Sequence, residues 1–405
     1  MKLLGIDVLS GQSIRVEVAE DVAAAVEAVR GAGPQLAYLA PGLIDIQVNG
    51  YRGLDYSAED FEAGHLELIA ADLAMAGVVR HFPTIITGPR ERVLRNLGLI
   101  ARVAGAGGEP GAAVAGIHLE GPYICPEDGP RGAHDGEFVR DPDWEEFSRW
   151  QEAAEGLIRL VTLAPERPGA LEFIRRAVAA GVRVALGHTQ ADGTTIARAV
   201  QVGASLSTHL GNGSHALMPR LRNYIWEQLA CDELWASIIT DSFHLPDSVI
   251  RSFWRSKGPG RVILTSDVAV MGGKPPGVYR WGGIEVEVFA DGHLGLAGTE
   301  YLAGAAHLLD WDIPRCVAAS GCSLAEAIAA CTVNPARYFA LPEGPELSDT
   351  NGPPRDGLAG AESRQLPGLR PGIRADVVQF RWEPGDERLR IERTLRGGRT
   401  VYAAV

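Results

Sequence analysis

Residues 182–210 read VRVALGHTQADGTTIARAVQVGASLSTHL. An apolar, β-branched run ends at His188, an amphipathic stretch ends in Gly203, and a second small-residue run ends at His209. That is one strand, one helix and the next strand, with a histidine at the tip of each strand. Working outward, short runs of the same kind recur: LAYLAPGLIDIQVNG (36–50), VVRHFPTII (78–86), AAVAGIHLE (112–120), IRLVTLAP (158–165), WASIITD (235–241) and RVILTSD (261–267). With the two quoted first they make eight candidate strands. Helical patterns lie between them, such as LEFIRRAVAAG (171–181), and a capping-box-like start is expected where Ser57 precedes Asp60 by three residues.

Repeated β-α units of this kind predict an α/β fold, a TIM-type (β/α)8 barrel over residues 41–364. The rhythm breaks at both ends. LLGIDVLSGQSIRVEV (3–18) reads as a hairpin, and LRPGIRADVVQFRW (369–382) and LRGGRTVYAAV (395–405) read as strands with Gly-containing turns. Residues 1–40 and 365–405 are therefore expected to share a small β-sandwich domain. The Gly-, Pro- and charge-rich stretch 341–368 is expected to be a mobile surface loop.

With 405 residues, 46% hydrophobic and 22% charged, the chain can bury a large core. Its net charge of -13 argues against nucleic acid or an anionic membrane as partner. Five cysteines, Cys125, Cys231, Cys316, Cys322 and Cys331, show no CxxC pairing and read as reduced thiols. The stretch MKLLGIDVLSGQS is interrupted by Asp7, unlike a signal peptide, and no run reaches the roughly twenty apolar residues of a membrane span, so a cytoplasmic protein is expected.

The chemistry lies at the strand tips. Glu120, His188 and His209 offer one carboxylate and two imidazoles, a ligand set for zinc or a similar divalent ion, which would make a water acidic enough to attack at neutral pH. Asp267, at the tip of the last strand, either caps the following loop or serves as the general base. Asp241 is expected to orient its neighbours. His118, two residues before Glu120, lies on the same strand face, either supporting the site or packing in the core.

The segments PGLIDIQVNG (41–50), GIHLEGPY (116–123), GAHDGEFVR (132–140), ALGHTQA (185–191), STHLGNG (207–213), IITDSFHLP (238–246) and LTSDV (264–268) resemble, in order and spacing, the N-acetylglucosamine-6-phosphate deacetylases of the amidohydrolase superfamily. SLAEAIAACTVNPARYFAL (323–341) and PGIRADVV (371–378) are similar to segments shared across that superfamily. The resemblance implies metal ligation by Glu120, His188 and His209, and acid/base catalysis by Asp267. It implies that His134 polarises the acetyl carbonyl, and that Asn212, Arg220 and His244 hold the sugar phosphate with backbone N–H groups of Gly132, Ala133 and Gly213. It implies an amino-sugar substrate and a homodimer.

Many amidohydrolases carry an HxH pair after the first strand; here the position reads Gln47-Val48-Asn49, which implies one metal per subunit, expected to be Zn2+. The family commonly has Asn-Ala-Met after the second histidine, where this chain has Asn212-Gly213-Ser214. Three alternatives to the deacetylase reading are an amidohydrolase of an unphosphorylated N-acylated small molecule, a catalytically silent sugar-binding barrel, and a cyclic-amide hydrolase or deaminase.

Overall fold

The computed structural model describes residues 1–30, 36–281, 284–298, 302–341 and 368–404. Eight parallel strands follow one another around a single sheet in chain order: Leu43–Val48, Val78–Ile86, Ile117–Glu120, Ile158–Leu163, Arg183–Leu186, Leu206–Ser207, Trp235–Ile238 and Val262–Leu264. The sheet closes on itself where Val48 bridges Val268 in parallel and the Asn49 amide donates to the Val268 carbonyl at 3.0 Å. Asp45 adds a second tie, accepting from Thr265 Oγ1 at 2.7 Å and from the Ser266 amide at 3.2 Å.

The strands are short because their outward residues pack on helices and their inward residues fill a narrow lumen. Outside, Val184, Leu186, Ile117, Leu119, Val262 and Leu264 meet the helical shell. The helix Ala170–Ala179 buries Ala170, Phe173, Ile174 and Ala177, the i, i+3, i+4, i+7 stripe its sequence predicts. The next helix, Gly193–Gln201, starts where the Asp192 side chain accepts from the Thr195 amide at 2.8 Å. Inside, Ile44, Ile46, Leu160, Leu206, Trp235 and Ile263 pack against Tyr338 and Phe339. Each such buried side chain contributes about 1.5–3 kcal/mol.

Both chain ends build one separate seven-stranded mixed sheet. The expected hairpin is present as Lys2–Asp7 and Ser13–Ala19, paired antiparallel, and Val377–Arg381, Arg390–Arg396 and Arg399–Ala403 come from the other end. The sheet curls back so that the Ala23 amide donates to the Ile373 carbonyl at 2.9 Å, enclosing Val16, Leu39, Ala375, Val377 and Leu395.

Two local expectations fail. The run 36–50 is not one strand: Tyr38–Pro41 joins the chain-end sheet and Leu43–Val48 the barrel. Gly42, between them, approaches Val79 so closely that a Cβ would lie 2.4 Å from its methyl carbons. The helix expected to open at Ser57 begins instead at Ala63, with Glu62 as its cap and His65 completing the box, while Ser57 Oγ accepts from the Ile86 amide at 2.9 Å. Of the stretch 341–368, residues 342–367 lie outside the described residues. Among the described residues no helix is long and apolar enough to cross a membrane.

Candidate active site

Glu120 ends the third strand, His188 and His209 lie two residues past the fifth and sixth, and Asp267 lies three past the eighth. The backbone turns sharply at these tips. His188, His209 and Asp267 have φ of 50°, 30° and 50°, a left-handed conformation that costs a non-glycine residue about 1–2 kcal/mol. Three such residues around one point mark a site whose geometry is imposed by the fold. Gly187 makes one approach possible, since a Cβ there would lie 2.8 Å from Thr162 Cγ2.

The side chains converge. Glu120 Oε1 lies 3.1 Å from His188 Nε2 and 3.0 Å from His209 Nε2, and the two Nε2 atoms are 3.0 Å apart. His188 Nδ1 lies 2.8 Å from the Pro130 carbonyl oxygen, which can only accept, so the proton of a neutral His188 ring is on Nδ1. Its Nε2 then presents a lone pair to a carboxylate oxygen. His209 Nε2 can present its lone pair to a cation held among these three atoms, or without one donate an N–H to Glu120. A tetrahedral site with ~2.0–2.2 Å bonds would put its donors about 3.3–3.6 Å apart, a few tenths wider than these edges. The donor set therefore fits a small divalent ion.

His134 flanks the same group. Its Nε2 is 3.3 Å from His188 Nε2 and 4.0 Å from Glu120 Oε2, and Glu120, His134 and His188 also hold donor atoms within 4.8 Å of one another. His209 Nε2 is nearer than His134 Nε2 to both Glu120 and His188, so Glu120, His188 and His209 form the tightest triangle of donor atoms. His134 Nδ1 pairs with Thr87 Oγ1 at 2.8 Å. Burial, aided by the neighbouring His188, pushes the His134 pKa down to about 3, so the ring is neutral. A Thr87 hydroxyl donating to Nδ1 leaves an N–H on Nε2, aimed into the site.

The carboxylates differ. Burial alone would raise the Glu120 pKa, but contact with His188 and His209 holds it well below the usual range. Burial, together with the Glu120 charge, pushes Asp267 up to about 7. A cation at the ligand triangle would draw it back toward the carboxylate form.

These groups line one cavity of about 250 Å3, together with Asn49, Asp55, Trp281, Val270, Ala303 and others. A few hundred Å3 suits a small metabolite.

No family model matches the chain. Whole-chain comparisons are decisive instead. The N-acetylglucosamine-6-phosphate deacetylase of Bos taurus is 36% identical over 313 residues, covering 75% of each chain. The chain belongs to the N-acetylglucosamine-6-phosphate deacetylase family. A deacetylase of the galactosamine epimer, the N-acetylgalactosamine-6-phosphate deacetylase of Escherichia coli O157:H7, is 31% identical over 368 residues, covering 90% of this chain and 89% of its own. Among solved structures, an N-acetyl-D-glucosamine-6-phosphate deacetylase mutant from Mycobacterium smegmatis, in complex with N-acetyl-D-glucosamine-6-phosphate, superposes with a TM-score of 0.82 at 30% identity over 99% of both chains.

Within this deacetylase framework, Ala133, His134, Asn212, Gly213 and His244 line the cavity with the four strand-tip residues. Arg220 does not. It is exposed, on a segment where Leu217 and Leu221 are 92% and 77% exposed. No Arg or Lys appears among the described residues lining the cavity. Asp241 holds His244, with Oδ2 at 2.8 Å from His244 Nδ1 and Oδ1 accepting from the His244 amide at 2.9 Å. His118 is fully buried and bonds Thr162 Oγ1 at 2.7 Å, which continues to Thr208 Oγ1 at 2.6 Å, beneath the cluster. Sequence reasoning missed Thr87 behind His134, and Asp55 with Trp281 in the cavity. Thr87 follows directly on the second strand, so the strand-tip rule could have found it.

Proposed function

We propose that this chain hydrolyses the acetamido group of N-acetylglucosamine 6-phosphate, giving glucosamine 6-phosphate and acetate. The observation that carries the reading is the triangle of Glu120, His188 and His209 sharing a cavity with Asp267. We propose that these three residues hold one divalent ion per subunit, Zn2+, which when bound would polarise the acetyl carbonyl and lower the pKa of water to about 7.

The chain's own groups do the rest. Asp267, in the carboxylate form that a bound cation favours, takes the proton of the attacking water and returns it to the departing nitrogen. His134, neutral and backed by Thr87, donates from Nε2 to the oxygen that gains charge as the carbonyl becomes tetrahedral. Asn212, His244 and the backbone N–H groups of Ala133 and Gly213 orient the sugar and its phosphate.

Arg220 enters this reading through a homodimer. Leu217, Leu221 and Trp226 are 92%, 77% and 50% exposed around it, an apolar patch that supports a subunit contact. A partner's copy of this segment would bring a guanidinium to a cavity that has none among its described lining residues. The proposed location is the cytoplasm, where a charged sugar phosphate is retained by the membrane. We also propose 1–40 with 365–405 as the small domain and 41–364 as the barrel.

The absence of Arg and Lys from the described cavity lining favours one second reading, a deacetylase of an unphosphorylated amino sugar. Acetate release from N-acetylglucosamine 6-phosphate, its galactosamine epimer and unphosphorylated N-acetylglucosamine tests both. The main reading expects kcat/KM at least tenfold higher for the glucosamine phosphate; equal or higher values for the unphosphorylated sugar overturn it.

A further inference from the structure

The first barrel strand, Leu43–Val48, carries Gln47 near its end, and Asn49 follows it directly. Neither points at solvent alone. Gln47 Nε2 donates to Glu120 Oε1 at 2.8 Å, and Asn49 Nδ2 donates to Asp267 Oδ1 at 2.8 Å and toward the Asp267 carbonyl at 3.4 Å. Gln47 lies near the end of the first strand and Asn49 one residue past it, and both side chains reach the barrel mouth. Reaching it requires an irregularity, because Ile46, next to Gln47, also packs inside the barrel. The pairing with the second strand shifts register between Asp45 and Val48, a bulge of the kind that re-aims a side chain beside a site.

We propose that Gln47 and Asn49 are positioning residues that divide the two functional carboxylates between them: Gln47 fixes the oxygen of Glu120 for the metal, and Asn49 fixes Asp267 for proton transfer. The residue type follows from the partner. A carboxylate is acceptor-only, so a neutral NH2 donor holds it without adding charge or competing for the ion. Both contacts run between strands distant in sequence, Gln47 to the third and Asn49 to the eighth. The Asn49 amide is itself anchored to the Val268 carbonyl at 3.0 Å, so its side chain starts from a fixed backbone point beside Asp267. Asn49 Oδ1 is buried without a partner among the described residues, as expected if the amide is oriented by its donor end. Partners of this kind around metal sites change affinity or activity by about 10–100-fold when removed.

The inference rests on the deacetylase reading for Asn49 and on the ligand assignment for Gln47, and two separate measurements test it. For Gln47→Leu, which keeps the bulk and removes the donor, zinc affinity is measured by chelator competition without substrate. A loss of tenfold or more is expected; affinity within twofold of the parent overturns the role of Gln47. For Asn49, metal-loaded Asn49→Ala, Asn49→Ser and Asn49→Asp are compared for kcat and KM. The donor role predicts a kcat order of Asn, Ser, Ala, Asp, with at least a tenfold loss in Ala, Asp the lowest, and KM within threefold throughout. A packing role predicts the reverse for the isosteric Asp, so parent-like kcat in Asn49→Asp or Asn49→Ala overturns the role of Asn49. If the parent protein releases no acetate, the deacetylase reading has failed, and the zinc titration of Gln47→Leu still stands as a test on its own.

Discussion

Gly213→Ala changes one backbone position beside His188, and the structure predicts that it will damage the site. Gly213 has φ of 57°, and a Cβ built on it would lie 2.7 Å from His188 Nδ1, 3.0 Å from His188 Cε1 and 3.3 Å from the Pro130 carbonyl oxygen. His188 cannot give way freely, since that Nδ1 is bonded to the same Pro130 oxygen at 2.8 Å and the opposite ring nitrogen faces Glu120 at 3.1 Å. Left-handed backbone in an alanine costs about 1 kcal/mol and overpacking about 1–3 kcal/mol more, giving roughly 2–4 kcal/mol in all. Relief comes through rotation of the His188 ring, which breaks the Pro130 bond and turns Nε2 away from the ligand triangle. Metal affinity should then fall ~10–100-fold, as when the outer partner of a ligating histidine is lost. Chelator competition reads the affinity, and thermal melts with and without metal separate a lost ligand from a general loss of stability. Unchanged affinity together with an unchanged melting midpoint would refute the reasoning, because it would mean that the 212–214 turn relaxes without touching His188.

Other predictions follow from the same geometry. Asp267→Asn should lower kcat by about 10²–10⁴-fold with metal content intact, read by acetate release and metal analysis. Thr87→Val removes the bond to His134 Nδ1 and should lower kcat about tenfold with little change in KM; parent-like kcat would mean that His134 needs no backing. Stripping the metal should abolish turnover and lower the melting midpoint, by an amount worth about 4 kcal/mol when the ion is supplied at a thousand times its Kd. Acid should destabilise the fold through His81. Burial, with the Arg396 charge second, depresses its pKa to about 3, whereas an unfolded histidine titrates near ~6.5. Between those values the unfolded state binds the extra proton, so stability falls as pH drops from about 6.5 toward 3, on the order of 4 kcal/mol over the range. Urea unfolding at pH 7 and 4.5 should show a smaller loss for His81→Gln than for the parent.

What could be read from the sequence was governed by range. Glu120, His188, His209 and Asp267 each close an apolar run, and a barrel delivers the ends of such runs to one mouth, so local pattern sufficed. The left-handed backbone at His188, His209 and Asp267 left no such trace: Asp and His adopt it more often than other non-glycine residues, but too seldom for the residue type alone to mark it. The partners of Gln47 and Asn49 lie 73 and 218 residues away, and nothing local distinguishes an amide that binds a carboxylate from one that merely fails to bind metal. The same limit explains the break within 36–50, set by the approach of Gly42 to Val79, and the loss of Ser57 as a helix cap to the amide of Ile86. Arg220 could be placed in a motif but not in space: the segment leaves the cavity after Gly213 and carries Arg220 to the surface.

The most direct test is the yield of acetate and glucosamine 6-phosphate from N-acetylglucosamine 6-phosphate with the zinc-loaded protein. One acetate and one glucosamine 6-phosphate per substrate consumed, at a kcat of roughly 1–10³ s⁻¹, is the predicted result. No acetate above the rate in buffer, with one zinc bound per chain, would contradict it.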